Sequence, residues 1–256
     1  PARNPAGPSR PERGADPVGV ACVPDAADAA APAAAGRRSG TAAAPPRHRP
    51  GSVAAPAALR TGRWRTILMA MSRINVIEPA DATGRLKEIY DGIAGSRGKI
   101  AEIHKIQSLN PETIEQHMNL YMGIMFAKSP LKRAQREMMA VVVSVANGCA
   151  YCQRHHLEAL QHFWKDDATG EALRADYTTL DLSPTDRALC DYAWSVTVDP
   201  GGATETDPTK PLREVGLEDR AILDATLVVA YFNFVNRLVQ ALDVDLEADP
   251  GGYRYE

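Results

Sequence analysis

Two thiols, a histidine and an acid stand at regular spacing in the middle of this chain: Glu137, Cys149, Cys152 and His156. Cys149 and Cys152 lie three apart and His156 follows four later, so on a helix all three share one face. A thiol attacks only as its thiolate, and an unassisted Cys is mostly protonated near neutral pH. The free N–H groups of a helix's first turn, with the helix dipole, stabilise a negative sulfur. His156 is within side-chain reach of Cys152 and can take or return a proton. A second thiol at i+3 can capture an oxidised first one as a disulfide, so the pair can cycle between dithiol and disulfide. Glu137 stands in an apolar stretch where a lone buried carboxylate is costly, so it is either solvated or serves a partner.

The elements around these residues follow from the same stretch. Residues 130–147 contain no interior Pro or Gly and are too long for a strand, despite the run Val141-Val142-Val143, so a buried helix is expected. Gly148 ends it through a left-handed residue. A new helix then opens with Cys149 at or next to its N-cap and runs to about Phe163. Cys152 lies one turn inside, better shielded, while Cys149 is expected at the open end. Two other readings use the same residues. The cysteines are small buried hydrophobes in one. In the other they bind zinc with His155 or His156, but a closed site needs four ligands and no second CxxC or HxxxH pair follows. Redox chemistry therefore leads, with no metal and no cofactor expected.

The run from Ser129 to His156 resembles the alkylhydroperoxidase AhpD core of the carboxymuconolactone decarboxylase superfamily. More narrowly, it is similar to the "uncharacterised peroxidase-related" branch. That likeness extends from about Ile74 to Leu246, including the stretches from Ala82 to Tyr90 and from Phe232 to Leu238. The resemblance implies that Glu137, Cys149, Cys152 and His156 are the proton-relay and dithiol residues. It also implies a homo-oligomer. AhpD proper often carries a second His between the cysteines; here Tyr151 stands there and will not shuttle protons near neutral pH. Tyr151 and His155 are taken as supporting residues.

Composition bounds the rest. In a chain of 256 residues, a net charge of −3 argues for neither a nucleic-acid binder nor a strongly acidic protein. The total hides an asymmetry: residues 1–70 hold ten Arg against four acids, a balance of +6, leaving −9 for the remainder. Four cysteines in this length make no disulfide framework, and a reducing cytoplasm suits them. Residues 1–70 form a Pro-, Ala- and Arg-rich extension that buries too little apolar surface to fold, so a disordered tail is expected. Met69 and Met71 immediately precede the family-like region, which points to a start there and to a helical domain over 71–256.

Within that domain the pattern is helical throughout. A helix capped by Asp81 or Thr83 carries Leu86, Ile89, Tyr90 and Ile93 on one face. A short one spans Ile100 to Ile106. Pro111, at N1 after Asn110, opens a third through Ala127, with Ile114, Met118, Tyr121, Met122 and Met125 inward. Lys165 to Gly170 reads as a polar connection and Glu171 to Tyr177 as a short segment. Ser183-Pro184 starts the next helix, Asp199 to Pro211 a loop near the site mouth, and Leu217 or Asp219 the final helix to about Leu242. The uncharged run of that helix is too short to span a membrane. His104 and His117 read as structural or exposed, Cys190 as a packed side chain, and Asn233, Asn236 and Arg237 as ties of helix ends or of a subunit contact.

The expected fold is all-α, with the CxxC at a helix N-terminus. The expected activity is a thiol-dependent peroxidase, with a hydroperoxide substrate and an external thiol or dithiol reductant. Acid/base chemistry of the decarboxylase type, through His156 and Glu137, is the alternative that leaves the cysteines idle. A non-enzymatic zinc-binding or interaction module is the third.

Overall fold

A computed structural model of the chain describes residues 72–202, 206–247 and 252–253. The expectations for residues 1–70 and for a start at Met71 lie outside the described residues. The described chain is built of helices: α1 Gly84–Arg97, α2 Glu102–Lys105, α3 Pro111–Met125, α4 Arg133–Ala146, α5 Ala150–Trp164, α6 Asp167–Asp176, α7 Pro184–Val198, α8 Lys210–Glu214 and α9 Asp219–Leu242. A 3₁₀ turn, Tyr177–Thr179, follows α6. No strand occurs among the described residues, so the all-α expectation is met.

α4 is the centre, with α5, α6, α7 and α9 packed around it. Every residue from Glu137 to Ser144 is buried, which a helix tolerates only when it is covered on all sides. Val141, Val142 and Val143 are at most 1% exposed. Burying each is worth about 1.5–2 kcal/mol, against a helix-propensity penalty below about 0.7 kcal/mol, so burial decides. The first turn is tied down by Gln135, whose Oε1 accepts from Lys132 N at 2.9 Å and whose Nε2 donates to Asp186 at 2.8 Å. α1 and α3 make a smaller cluster through Leu86, Ile89, Tyr90, Ile93 and Ile114.

α9 has the length and mean hydropathy (1.4) of a membrane span, yet 56% of that window is buried within the protein. It packs on α3, α4, α5 and α7, and its polar residues are spent on helix ties. Asn147 Nδ2 lies 3.1 Å from Asn233 Oδ1 and 3.1 Å from Asn236 Oδ1. Asn236 Nδ2 faces Ser144 Oγ at 3.4 Å. Arg237 returns to Asn233 O at 2.7 Å. The tie expectation is thereby met within the chain for Asn233 and Asn236, whereas, among the described residues, Arg237 bonds back only within its own helix.

Three expectations need correction. Lys165 to Gly170 is not a connection: α6 starts at Asp167, with Asp166 accepting from Thr169 N at 3.1 Å as its cap. Gly170 belongs there for packing, because a Cβ would come within 3.1 Å of Gln161 and Leu157. Met122 does not point inward but is 39% exposed, unlike Met125 at 0%. The described residues between Asp199 and Pro211 do not line the cavity that reaches Cys152. Ser183 does cap α7, its Oγ accepting from Asp186 N at 3.1 Å.

Candidate functional site

The turn between α4 and α5 sets the site. Asn147 closes α4, Gly148 takes φ +67, and Cys149 is the N-cap of α5. A positive φ is what glycine adopts without steric cost. Cys149 N donates to Ser144 O at 2.9 Å, which folds the start of α5 back on the end of α4. The consequence is that Cys149 is only 1% exposed and Cys152 2%. Cys149 was expected at an open helix end; it is covered instead, because α5 begins against α4 rather than in solvent.

Behind the thiols lies a buried network of Arg133, Glu137 and His156. Glu137, 0% exposed, accepts at Oε2 from His156 Nδ1 at 2.7 Å and at Oε1 from Arg133 Nε at 2.9 Å. Burial by itself would raise the Glu137 pKa, but the hydrogen bond and charge of His156 and the Arg133 guanidinium outweigh it and hold the carboxyl below the usual range. Arg133 sits over the Phe126 ring at 3.7 Å. Donation from Nδ1 fixes the tautomer of His156 and leaves Nε2 as the nitrogen available for proton transfer. The ring is braced edge-on by Phe232 at 4.3 Å.

The two thiols differ in electrostatics. No side-chain hydrogen bond caps α5. The Cys152 thiol, together with the first-turn N–H groups of Cys152 and Tyr151, draws the Cys149 pKa below that of an ordinary thiol, against the opposing effect of burial. Cys152 is pushed up by its hydrogen bond to Cys149 and by burial, with Asn236 pulling the other way. A singly deprotonated pair therefore holds one proton between two sulfurs.

One cavity of about 80 Å³ reaches Tyr151, Cys152, His155 and His156, but not Cys149. Of the residues singled out by sequence, four thus share a wall, Glu137 stands behind His156, and Cys149 behind Cys152. His155 Nε2 donates to Glu247 at 2.7 Å and Tyr151 Oη to the same carboxylate at 2.9 Å. Glu247 also accepts from Glu102 N at 2.8 Å. Burial opposes its ionisation, but His155 and the Glu102 N–H prevail and hold its pKa to about 2. Sequence reasoning missed Glu247 and Arg133 as parts of this site; Arg133, four residues before Glu137 on one helix, was the visible one. His104 and His117, read as structural or exposed, line the cavity as well. Among the described residues no group of three or more His, Cys, Asp or Glu is arranged to hold a metal ion.

Comparison with known proteins agrees with this architecture. The family model described as "Carboxymuconolactone decarboxylase family" matches residues 111–175. No curated protein matches the chain. Among solved structures, a peroxidase-related protein from Ralstonia eutropha JMP134, described as an alkylhydroperoxidase AhpD core, is 23% identical with a TM-score of 0.62, over 69% of this chain and 93% of that one. A peroxidase-related protein from Silicibacter sp. TM1040 is 27% identical with a TM-score of 0.61, over 70% and 96%. The debrominase Bmp8 shares the fold at 20% identity and a TM-score of 0.59, over 71% and 94%. With its buried CxxC helix, its matched segment and these neighbours, the chain carries a segment similar to the carboxymuconolactone decarboxylase family within a fold similar to the AhpD-like core.

Proposed function

We propose that this protein is a thiol-dependent peroxidase that reduces hydroperoxides through Cys152 and Cys149. The family and fold support an enzyme of peroxidase-related or decarboxylase type. The observation that carries the finer reading is that Cys152 and His156 share one cavity, while His156 is oriented from behind by a buried, ionised Glu137. A decarboxylase reading would leave two buried thiols in mutual contact at a helix N-terminus without a task.

In the proposed cycle His156 Nε2 takes a proton from the thiol pair. The proton shared between the sulfurs moves to Cys149, and the thiolate stands at Cys152, the sulfur that the cavity reaches. Cys152 attacks the terminal oxygen of ROOH and the O–O bond breaks. Cys152 becomes a sulfenic acid, and the departing RO⁻ takes the proton held by His156 to give ROH. The Cys149 thiol then displaces water from the sulfenic acid, forming the disulfide. An external thiol or dithiol reductant restores the pair. A homo-oligomer working in a reducing cytoplasm is part of this proposal.

The test is a thiol count before and after one equivalent of an organic hydroperoxide. Loss of two titratable thiols, restored by dithiothreitol, is the expected result. Retention of both thiols would refute the reading and promote acid/base chemistry by Glu137 and His156.

A further inference from the structure

On the cavity wall that also holds Cys152, a string of neutral hydrogen bonds has one fixed direction. Gln107 Nε2 lies 2.6 Å from Ile103 O, which only accepts, so this nitrogen is the amide NH₂ and not the carbonyl oxygen. The same NH₂ lies 2.8 Å from His117 Nδ1. His117 Nδ1 therefore accepts, and in a neutral imidazole the proton is on Nε2. His117 Nε2 is 2.6 Å from Tyr231 Oη, so Nε2–H donates and the Tyr231 oxygen accepts. The Tyr231 O–H is left to donate elsewhere, and no other protein acceptor is within hydrogen-bonding distance of it among the described residues. Tyr231 is 6% exposed and lines the cavity with Cys152, His156 and His117.

The histidine must be neutral for this direction to hold. Burial of His117 lowers its pKa to about 4. His104, whose ring lies 5.4 Å from that of His117, is lowered to about 3 by burial and by the charges of His117 and Arg97. His104 Nδ1, on the same wall, is also shielded from solvent and has no protein partner among the described residues.

We infer that Tyr231 is a catalytic residue whose hydroxyl, oriented by His117 and Gln107, donates a hydrogen bond to the oxygen that leaves when the O–O bond of an alkyl hydroperoxide breaks. The inference rests on the peroxidase reading above and adds a residue that acts on its leaving group. When Cys152 takes the terminal oxygen, the electron pair of the O–O bond goes to RO⁻. An alkoxide is a poor leaving group, and a preorganised donor at that position stabilises the charge as it develops. Tyr231 keeps its proton; the proton that makes ROH is the one His156 removed from the thiol pair. His117 and Gln107 are positioning residues.

Leaving-group chemistry separates this role from a structural one. Single-turnover thiol oxidation is followed with tert-butyl hydroperoxide, which expels an alkoxide, and with peracetic acid, which expels a stable carboxylate and needs no donor. In Tyr231→Phe the alkyl hydroperoxide rate is expected to fall about a hundredfold, while the peracid rate stays near that of wild type and so reports an intact fold. His117→Leu should lower the alkyl hydroperoxide rate selectively, and His117→Gln, which retains an N–H donor for Tyr231, should restore it. Equal loss with both oxidants, or no loss with either, overturns the assignment of Tyr231. If wild type loses no thiols to either oxidant, the peroxidase reading itself fails and takes this inference with it.

Discussion

Stability in mild acid is a direct test of the neutral histidine pair, independent of catalysis. His104 and His117 have folded pKa values of about 3 and about 4, against 6.5 for an unfolded histidine. A depressed folded value means that the unfolded chain binds protons first. The stabilisation is thus complete above pH 6.5 and is lost as pH falls from there towards 4 and 3. Integrating the linkage relation between pH 7 and pH 5 gives about 2 kcal/mol for each histidine, about 4 kcal/mol for the pair. That is a large share of the roughly 5–15 kcal/mol that holds a domain folded. The assay is urea unfolding at pH 7 and pH 5, comparing wild type with His117→Gln. The variant removes one of the two histidines, so its loss between the two pH values should be smaller by about 2 kcal/mol. Comparing the two proteins cancels the contribution of titrating groups that do not interact with His117; His104, in ring contact with it, is the histidine that does. An identical loss in wild type and variant would show that His117 is not held neutral, and the direction assigned to its hydrogen bonds would go with it.

Further outcomes follow from the same geometry. Glu137→Gln should slow thiol oxidation by up to about a hundredfold through loss of the His156 anchor; an unchanged single-turnover rate would make Glu137 purely structural. Treated with one equivalent of hydroperoxide, Cys149→Ser should accumulate a sulfenic acid on Cys152 that a dimedone-type reagent traps, whereas a trapped sulfenic acid on Cys149 in Cys152→Ser would reverse the roles. The depressed Cys149 pKa contributes stability above the unfolded thiol value of about 8.5 that is lost as pH falls through the folded value. Thiolate absorbance near 240 nm should therefore begin to rise below that value in wild type and not in Cys149→Ser. Cys190, 0% exposed and raised by burial, should react with Ellman's reagent only after denaturant is added; reaction in the native state would show that the α7 packing opens.

What was legible in the chain was local. The Gly148 break, the Ser183-Pro184 start of α7 and the CxxC face of α5 each depend on a few neighbouring residues, and each is present. The same locality failed at α6, where Thr169 and Gly170 look like turn residues but tertiary packing against α5 fixes them in a helix. Glu137 was visible as an oddity, yet whether it faced water or a partner depended on His156, which the α4–α5 turn brings across. The rest of the cavity wall was not legible at all. His117 meets Tyr231 across 114 positions and Tyr151 meets Glu247 across 96, and no periodicity or short motif encodes pairs so far apart.

Glu247 has a temporal consequence as well. It is the carboxylate that pins Tyr151 and His155 and reaches the start of α2, but it is synthesised 96 residues after Tyr151. At about 5–20 residues per second, a growing chain carries its CxxC helix for roughly 5–20 s before this wall can close. During that interval the wall formed by Tyr151 and His155 beside Cys152 is not yet pinned. Oxidative damage to this protein should therefore fall more heavily on nascent chains than on finished ones.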